Sequence, residues 1–539
     1  MKNKKCTVKK QSRGIGRIAL SLAAVFLCLS MLLSFTACNG KLERETEEMD
    51  EKDEKDSSAV AIKTENFSVS EAQMYYYFYS QYQSTYNSLA GYGLDPSVYG
   101  LTAGKSLKDQ KCTFDSTKTW FQYFMETAMT NVQEQLALCE AAKAAGMSLT
   151  DDDHAEIKGT IDAIKETAEA QGYSLKNYLK SNYGKVVSVS DVEKALEIEV
   201  LATKYLESEL DKVDVSDEAI KAIYDKDKDK YDTVDYLTFT FDYEDIYDVL
   251  IKDKKTENKD AEADDKKDEI DPDVKAEAVK IAKEYSEKLE KAVDLKSFEE
   301  VLKDFYVKVM KQSEETAKKT LSEGKHIVKG ASYKEGDEQL SWLFGKDSSA
   351  EIKVDSVKTF TTTEKHEHKE GDDHTGLGES YTVIHVTRTR GTVEGISSVD
   401  VRHILFSTDT YKNDAEAKKI YEQWKKDGAK EDDFAKLAEK HTEDTGSKFN
   451  GGLYEGVTEG QMVKEFNDWI FAKDRKAGDH GIVKTTYGWH IMYYVDGAEK
   501  WQAEIKAELQ SEASKKAVEA ASDKYKATVD YDVINNVNA

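Results

Sequence analysis

The sequence has 539 residues and a formal net charge of −27 at pH 7, with 104 Asp and Glu against 77 Lys and Arg. Such an acidic chain argues against nucleic-acid binding and against broad adhesion to anionic membranes, because both partners are negatively charged. No glycine-rich loop of the kinds that cradle nucleotide phosphates is present, so no nucleotide or other cofactor is expected.

The first 37 residues are predicted to be an export signal. Residues 1–17 carry seven Lys and Arg and no acidic residue, residues 18–35 are largely apolar, and two small residues precede Cys38. This order is typical of a secretory signal. It resembles a bacterial lipoprotein signal, apart from Phe35 in place of the usual leucine, and the resemblance implies that Cys38 becomes the lipidated first residue. The alternative is an uncleaved membrane helix, since about 18 apolar residues suffice to span a bilayer.

Residues 38–60 are predicted to form a flexible acidic tether, because they contain too few apolar side chains to offset the entropy of ordering. Loss of the seven positive charges of the signal would take the net charge from −27 to −34. Of the five cysteines, two would leave with the signal and one would carry lipid. Cys112 and Cys139 remain, and the sequence leaves open whether they form a disulfide or stay isolated thiols.

Residues 61–229 are predicted to form an all-helical domain. Ser68 and Glu71 fit a capping box at the start of its first helix, and Thr150 with its acidic first turn opens a later one. A packed core explains the aromatic face of the first helix more simply than the alternative, a peptide-binding groove. The aromatic residues of that face recur at helical spacing: Tyr75, Phe78, Tyr79, Tyr82 and Tyr86.

The next two segments, residues 230–395 and 398–497, are similar to each other. Both contain a strand-like apolar run, a helical stretch, a Trp followed by apolar residues, and a closing strand. The second copy carries two histidines in its strands, and the first copy is predicted to lack both. In this alignment His403 is replaced by Tyr236, and His490 by Thr382.

The first copy contains two strongly polar stretches. Residues 252–271 are nearly all Lys, Asp and Glu, which is typical of a solvated insertion. A later loop holds His366, His368 and His374 among acidic residues. Such a cluster offers ligands for Zn²⁺ or a similar ion, but a hydrophilic surface insertion has the same composition, and no metal is expected there.

His403 and His490 are the most informative residues of the chain. Each lies inside a short apolar run typical of a strand, so each ring should point to one face of a sheet. A matched pair of this kind usually lines a functional site, although core histidines that merely organise the sheet would look alike. Between them stand three further motifs: Gly451 and Gly452 before Leu453, Gly460 and Gln461 before Met462 and Phe466, and Gly481 to Thr485.

The order and spacing of these motifs resemble the parvulin family of peptidyl-prolyl cis/trans isomerases over residues 398–497. The resemblance implies a small, mostly antiparallel sheet with surrounding helices for each copy, the first copy without isomerase activity. Residues 61–229 resemble the helical chaperone domain of foldases of the PrsA and SurA type, in which the C-terminal helix, here residues 500–530, folds back onto that domain. The predicted class is therefore α+β multidomain.

The resemblance also assigns roles to single residues. It implies that His403 and His490 hold a hydrogen-bond network beneath the substrate, which Thr485 extends, and that Asp444 lies near the reacting carbonyl. Asp444 beside Thr-Gly also fits an ordinary turn. The apolar wall around the proline ring is assigned to Leu453, Met462, Phe466 and Phe471, although Met462 and Phe466 would pack together on any amphipathic helix.

The sequence departs from the parvulin pattern in one motif. Parvulins commonly read Gly-Gly-Asp-Leu-Gly, whereas Gly452 is followed directly by Leu453 and Tyr454. This puts in question the rim of the proline pocket and the preference for the residue before proline. The loop 407–413 has no cluster of Arg and Lys, so selectivity for phosphoserine before proline is not expected.

These features together predict a peptidyl-prolyl isomerase with chaperone character, anchored by lipid on the extracytoplasmic face of the cell membrane of a Gram-positive bacterium. Its partners would be unfolded or partly folded exported polypeptides with Xaa-Pro bonds. The alternative is a non-catalytic holdase that uses its parvulin folds as client-binding modules. A solute-binding lipoprotein is a third hypothesis, against which the long helical runs and the repeated segment argue.

Overall fold

A computed structural model of the chain separates into two compact units. Of the described residues, the first unit takes those up to 216, then 396–498, and those from 503 onward, and the second takes 217–395 and 499–502. The predicted signal with Cys38 and the histidine-rich loop lie outside the described residues, as do most of the tether and of the charged insertion. The described residues are 59–91, 93–257, 271–347, 351–364, 378–444 and 446–537.

The first unit opens with a helical part. Two short antiparallel strands, β1 and β2, precede its helices, whose apolar faces share one core around Trp120, Phe124 and Leu136. None of the helices in the described part of the chain is long and apolar enough to cross a membrane. The elements are β1 (Val60–Lys63), β2 (Ser68–Ser70), α1 (Glu71–Gly91), α2 (Trp120–Ala144), α3 (Asp151–Ala170), α4 (Leu175–Tyr183) and α5 (Val189–Leu210).

The aromatic face of α1 belongs to this core. Phe78 is fully buried, and the tyrosines at the other predicted positions are partly buried against the same cluster, which confirms the interpretation as packed core. Cys112 and Cys139 are buried in the cluster as free thiols, so no disulfide joins them.

Local hydrogen bonds explain where these helices begin. The Thr150 hydroxyl accepts the Asp153 N–H at 3.3 Å, and the Asp153 carboxylate accepts the Thr150 N–H at 2.6 Å, which confirms the predicted start of α3. At α1 the cap is Ser70, whose N–H donates to the Gln73 side chain at 2.8 Å. The predicted cap at Ser68 is wrong by two residues, because Ser68 belongs to β2 and pairs with Lys63 on β1.

The second unit is built on a four-stranded antiparallel sheet with the order β4-β3-β6-β5. Helices α9 and α10 pack on it through Tyr285, Phe298 and Phe305, and α12 contributes Trp342 to a second cluster. In chain order the elements are α6 (Asp217–Lys226), α7 (Lys228–Tyr231), β3 (Thr233–Phe241), α8 (Tyr243–Glu257), α9 (Pro272–Leu289), α10 (Leu295–Lys308), α11 (Glu314–Ser322), β4 (Ile327–Ser332), α12 (Glu338–Leu343), β5 (Val357–Glu364) and β6 (Gly378–Gly391).

A second four-stranded sheet belongs to the first unit and has the order β8-β7-β10-β9. Trp424 of α13 and Phe434 of α14 pack with Ile404 on one side of it, and Phe466 of α15 packs with Val401 on the other. The elements are β7 (Ile396–Ser407), α13 (Ala415–Lys426), α14 (Glu431–His441), β8 (Leu453–Thr458), α15 (Lys464–Ile470), β9 (His480–Lys484) and β10 (Gly488–Glu499).

The last described residues return to the helical part. They form α16 (Lys500–Lys524), β11 (Thr528–Val529) and α17 (Tyr531–Ile534). Strand β11 pairs with β1, and Ala521, Ile534 and Val537 are buried in the helical core. The described fold thus combines helices with antiparallel sheets, which confirms the predicted α+β class.

The two four-stranded sheets share one strand order, in which the first and last strands are central. The His403 N–H donates to the Gly452 carbonyl at 2.7 Å, and at the equivalent place the Thr238 N–H donates to the His326 carbonyl at 2.9 Å. Thr238 therefore occupies the position of His403. The predicted alignment, which put Tyr236 there, is wrong by two residues.

Candidate active site

Two histidines meet on the central strands of the sheet in the first unit. His403 on β7 and His490 on β10 are 3% and 5% exposed, and their Nδ1 atoms are 3.1 Å apart. The two rings are nearly coplanar, with an interplanar angle of 24°, and their centroids are 5.3 Å apart, as expected for rings joined by a hydrogen bond between these nitrogens. The structure thus brings together the two residues that the sequence singled out.

Asp444 reaches the first histidine from the loop that follows α14. The Thr442 hydroxyl accepts the N–H of Leu405 at 3.0 Å, which fixes this loop along β7. Asp444 Oδ2 then lies 3.0 Å from His403 Nε2. Contact of this loop with β7, which lies far from it along the chain, therefore positions the carboxylate.

Thr485 lies at the other end of the same chain of contacts. Its hydroxyl is buried and lies 2.8 Å from His490 Nε2. The hydroxyl oxygen also accepts the N–H of Tyr487 at 3.1 Å, so the turn between β9 and β10 holds it in place.

With both rings neutral, the chemistry of the acceptors decides the direction of every hydrogen bond. A carboxylate accepts only, so His403 donates from Nε2 to Asp444, and its Nδ1 accepts. His490 therefore donates from Nδ1, and its Nε2 accepts the proton of the Thr485 hydroxyl. Every donor in this series of hydrogen bonds therefore points towards Asp444, and the proton positions are assigned from these directions.

Burial and hydrogen bonding set the charges of the site. Burial, with repulsion from His403 when that ring is charged, lowers the pKa of His490 to about 3. Burial opposes ionisation of Asp444, but hydrogen bonds from His403, Ser447 and Tyr454 outweigh it and hold the pKa of the carboxyl well below its usual range. At neutral pH the site therefore contains a neutral His490 and, on the other side of His403, a carboxylate.

An apolar wall adjoins the two rings. Phe466 is 3% exposed and presents its ring edge-on to both histidines, at centroid distances of 5.4 Å from His403 and 5.6 Å from His490. Met462 and Phe471 are partly buried against the same cluster. Three of the four predicted wall residues thus gather on the histidine side of the sheet.

Leu453 is the exception. It pairs with Arg402 on β7, one residue before His403, and adjacent residues of a strand point to opposite faces. Leu453 therefore faces away from His403, so its predicted place in the proline wall is wrong. Tyr454 pairs with Val401 and lies on the histidine face instead.

Two residues that the sequence did not single out complete the site. The Tyr454 hydroxyl donates to Asp444 Oδ2 at 3.0 Å, and the Ser447 N–H donates to the same oxygen at 3.0 Å. The Ser447 hydroxyl also contacts Asp444 Oδ2 and lies 3.1 Å from His403 Nε2. The signal that could have indicated Tyr454 is the altered motif after Gly452, because it leaves the register of β8 open and a one-residue shift exchanges the two faces of a strand.

Gly452 makes the approach of β8 to β7 possible. Its φ of +73° is in the left-handed region, and a Cβ there would lie 2.2 Å from the His403 carbonyl oxygen. Only glycine fits this position.

Nothing in the described part of the chain resembles a metal site, since no three His, Cys, Asp or Glu residues are grouped to hold an ion.

Comparison with known sequences agrees with the predicted resemblance. Residues 384–497 match the PPIC-type PPIASE domain. The chain is 37% identical over 109 residues to a protein named Foldase protein PrsA 3 from Bacillus cereus, a match that covers 20% of this chain and 38% of the relative. It is 35% identical over 139 residues to Foldase protein PrsA 1 from Listeria innocua, a match that covers 23% of this chain and 44% of the relative.

A match to Chaperone SurA of Pseudomonas fluorescens, 33% identical over 94 residues, covers 17% of this chain and 22% of the relative. The chain thus spans less than half the length of each of these relatives. Among solved structures, it is similar to a peptidylprolyl isomerase (PrsA) from Bacillus anthracis, with 18% identity, a TM-score of 0.17, and coverage of 46% of this chain and 94% of that one. The similarity to PrsA from Bacillus subtilis has 20% identity and a TM-score of 0.18, and it covers 49% of this chain and 83% of that one.

Proposed function

From the premise that residues 384–497 carry a PPIC-type PPIase domain, we propose that the protein is a parvulin-type peptidyl-prolyl cis/trans isomerase. The observation that carries the proposal is the buried hydrogen-bond chain from Asp444 through His403 and His490 to Thr485, beside the ring of Phe466. An isomerase needs such a fixed polar network next to an apolar wall, because the substrate presents a proline ring joined to an amide.

The reaction breaks no covalent bond. Conjugation stiffens the Xaa-Pro amide and gives a rotation barrier of ~18–20 kcal/mol. The site therefore has only to bind the twisted amide, in which conjugation is lost, more tightly than the planar one. Phe466, Met462 and Phe471 would hold the proline, while the rest of the peptide turns.

Charge at the site favours the twisted state. The planar amide carries partial negative charge on its carbonyl oxygen, and twisting removes part of that charge. The Asp444 carboxylate beside the carbonyl would destabilise the planar form in a site sheltered from water. The histidines would keep the carboxylate in place, and the low pKa of His490 would keep the buried network free of an extra positive charge.

The same protein is proposed to act as a chaperone for exported polypeptides. Support comes from the foldase and chaperone names of its relatives and from the helical part that accompanies the isomerase sheet. The sequence of residues 1–38 supports attachment through lipid on Cys38 at the extracytoplasmic face of the membrane. Clients would be unfolded or partly folded chains that contain Xaa-Pro bonds.

Isomerisation of an unphosphorylated Xaa-Pro peptide by the chain without residues 1–37 tests the proposal. The double variant His403→Ala/His490→Ala is expected to lose activity while remaining folded by circular dichroism. His385→Ala is the matched control, since it removes an equally buried imidazole, 6% exposed, from the sheet of the second unit, and it should keep full activity.

The isomerase would be refuted if the parent chain isomerised none of several peptides that differ in the residue before proline. If that chain still suppressed aggregation of an unfolded client, the holdase would replace the isomerase as the function.

A further inference from the structure

Tyr454 contacts both Asp444 and His403 at one end of the site. Its hydroxyl donates to Asp444 Oδ2 at 3.0 Å, and its ring stacks on His403 with centroids 5.3 Å apart and an interplanar angle of 23°. A residue without both a ring and a hydroxyl could not make these two contacts.

The oxygen that Tyr454 contacts is the one on which the network ends. Asp444 Oδ2 accepts from His403 Nε2 at 3.0 Å and from the Ser447 N–H at 3.0 Å, besides the Tyr454 hydroxyl. Donors of this kind stabilise the ionised carboxylate and restrict its rotation, and hydrogen bonds to charged groups are stronger than neutral ones. The orientation of His403 therefore depends on how firmly this oxygen is held.

We propose that Tyr454 is a positioning residue of the isomerase site, which holds the Asp444 carboxylate ionised and oriented through its hydroxyl and holds the His403 ring through stacking. This inference rests on the proposed function. It assigns to Tyr454 a role for which the parvulin pattern offers no counterpart, since the residue stands where the Gly-Gly-Asp-Leu-Gly motif is altered.

Gly446 provides independent geometric support. A Cβ at this residue would lie 2.8 Å from the Tyr454 hydroxyl oxygen, whereas the next nearest atoms, Asp444 Oδ1 and Tyr454 Cζ, would be 3.8 Å away. Gly446 does not have a positive φ. The Tyr454 hydroxyl group, and not the backbone conformation, is therefore what an added Cβ would meet here, so the fit of residue 446 reports on where that hydroxyl lies.

The first test is Tyr454→Phe, which keeps the ring and removes the hydroxyl. We expect kcat/KM to fall about tenfold, the usual effect of one hydrogen bond to a charged group. The NMR resonance of the His403 Nε2 proton should shift in the same variant. Tyr421→Phe is the control, because it removes a comparable hydroxyl contact outside the site, from α13 to His480 Nδ1 on β9 at 2.7 Å; neither readout should change.

The second test does not need activity. Gly446→Ala alone should lower the melting temperature of the full chain, because its Cβ meets the hydroxyl. Gly446→Ala combined with Tyr454→Phe should recover most of that loss. A double variant as unstable as Gly446→Ala, or a Tyr454→Phe variant with unchanged kcat/KM and an unshifted His403 resonance, would overturn the inference.

The two kinds of failure are distinguishable. An inactive parent chain would refute the isomerase but leave the Gly446 rescue and the His403 resonance as measurable properties of Tyr454. Rescue and a shifted resonance in an active parent, with no loss of kcat/KM in Tyr454→Phe, would refute only the positioning role.

Discussion

The His490 ring stays neutral because of what surrounds it. It contacts the His403 ring, the Thr485 hydroxyl and the edge of Phe466, none of which carries a negative charge. Asp444 lies on the far side of His403, so its attraction does not offset the cost of burying an imidazolium. An unfolded chain has no such cost, and this difference connects the protonation of one residue to the stability of the protein.

Lowering the pH from 7 towards 4 should therefore destabilise the protein in part through His490. Its folded pKa, about 3, lies below the ~6.5 of an unfolded histidine, so between these values the unfolded chain binds a proton that the folded chain does not. The contribution of the neutral His490 to stability is fully present above the pKa of the unfolded chain and is lost as the pH falls towards the folded pKa. This group alone contributes a slope of up to ~1.4 kcal/mol per pH unit.

Denaturant unfolding across this pH range measures the slope. His490→Gln cannot titrate, so its stability should depend less steeply on pH. Equal slopes for the parent and this variant would show that His490 is not the responsible group.

At the scale of elements, the register of β8 determines which residues reach the site. His403, His490 and Asp444 were predictable because their motifs keep their spacing. Tyr454 was not, since the altered motif after Gly452 leaves the register of β8 open, and a difference of one residue exchanges the two faces of a strand. In the second unit the error at Tyr236 is two residues, which preserves the alternation of faces, so the apolar pattern alone cannot detect it.

The junction between β7 and β8 is expected to tolerate no side chain at residue 452. Gly452→Ala would place a Cβ 2.2 Å from a carbonyl oxygen, and should cost more than ~3 kcal/mol and abolish activity. Gly456→Ala is the matched control, because its φ is +62° but nothing lies within 4 Å of the added Cβ. It should cost only ~1–2 kcal/mol for the left-handed backbone.

Denaturant unfolding and peptide isomerisation compare the two variants. Similar losses of stability and activity in the two variants would show that backbone conformation, and not the approach of the two strands, requires the glycine at residue 452.

At the scale of the whole molecule, the helical part depends on residues from both ends of the described chain. Val529 pairs with Ile62, and Val537 is fully buried in the helical core. The sequence predicted a helix over residues 500–530 from its composition, but the helix ends at Lys524, and residues 528 and 529 form the two-residue strand β11. So short a strand carries no periodic signal of its own, which is why it could not be predicted.

Truncating the buried side chain of α17 should destabilise this part. Ile534 is 5% exposed, and Ile534→Ala is expected to cost ~2–4 kcal/mol in free energy of unfolding. Tyr531, on the same helix, is 63% exposed, and Tyr531→Ala should change it by no more than ~0.5 kcal/mol. If hydrogen exchange in α1 and α2 were equally slow in both variants, the return of α17 would not support the helical core.

The pairing of β11 with β1 also makes the helical part depend on residues far away along the chain while it folds. Strands β7 to β10 all come from one continuous stretch, so their sheet can assemble from that stretch alone. The helical part comes earlier in the chain, yet its small sheet stays incomplete until residues 528 and 529 are present. A chain that ended before residue 528 would therefore leave this part unfinished and exposed to proteases.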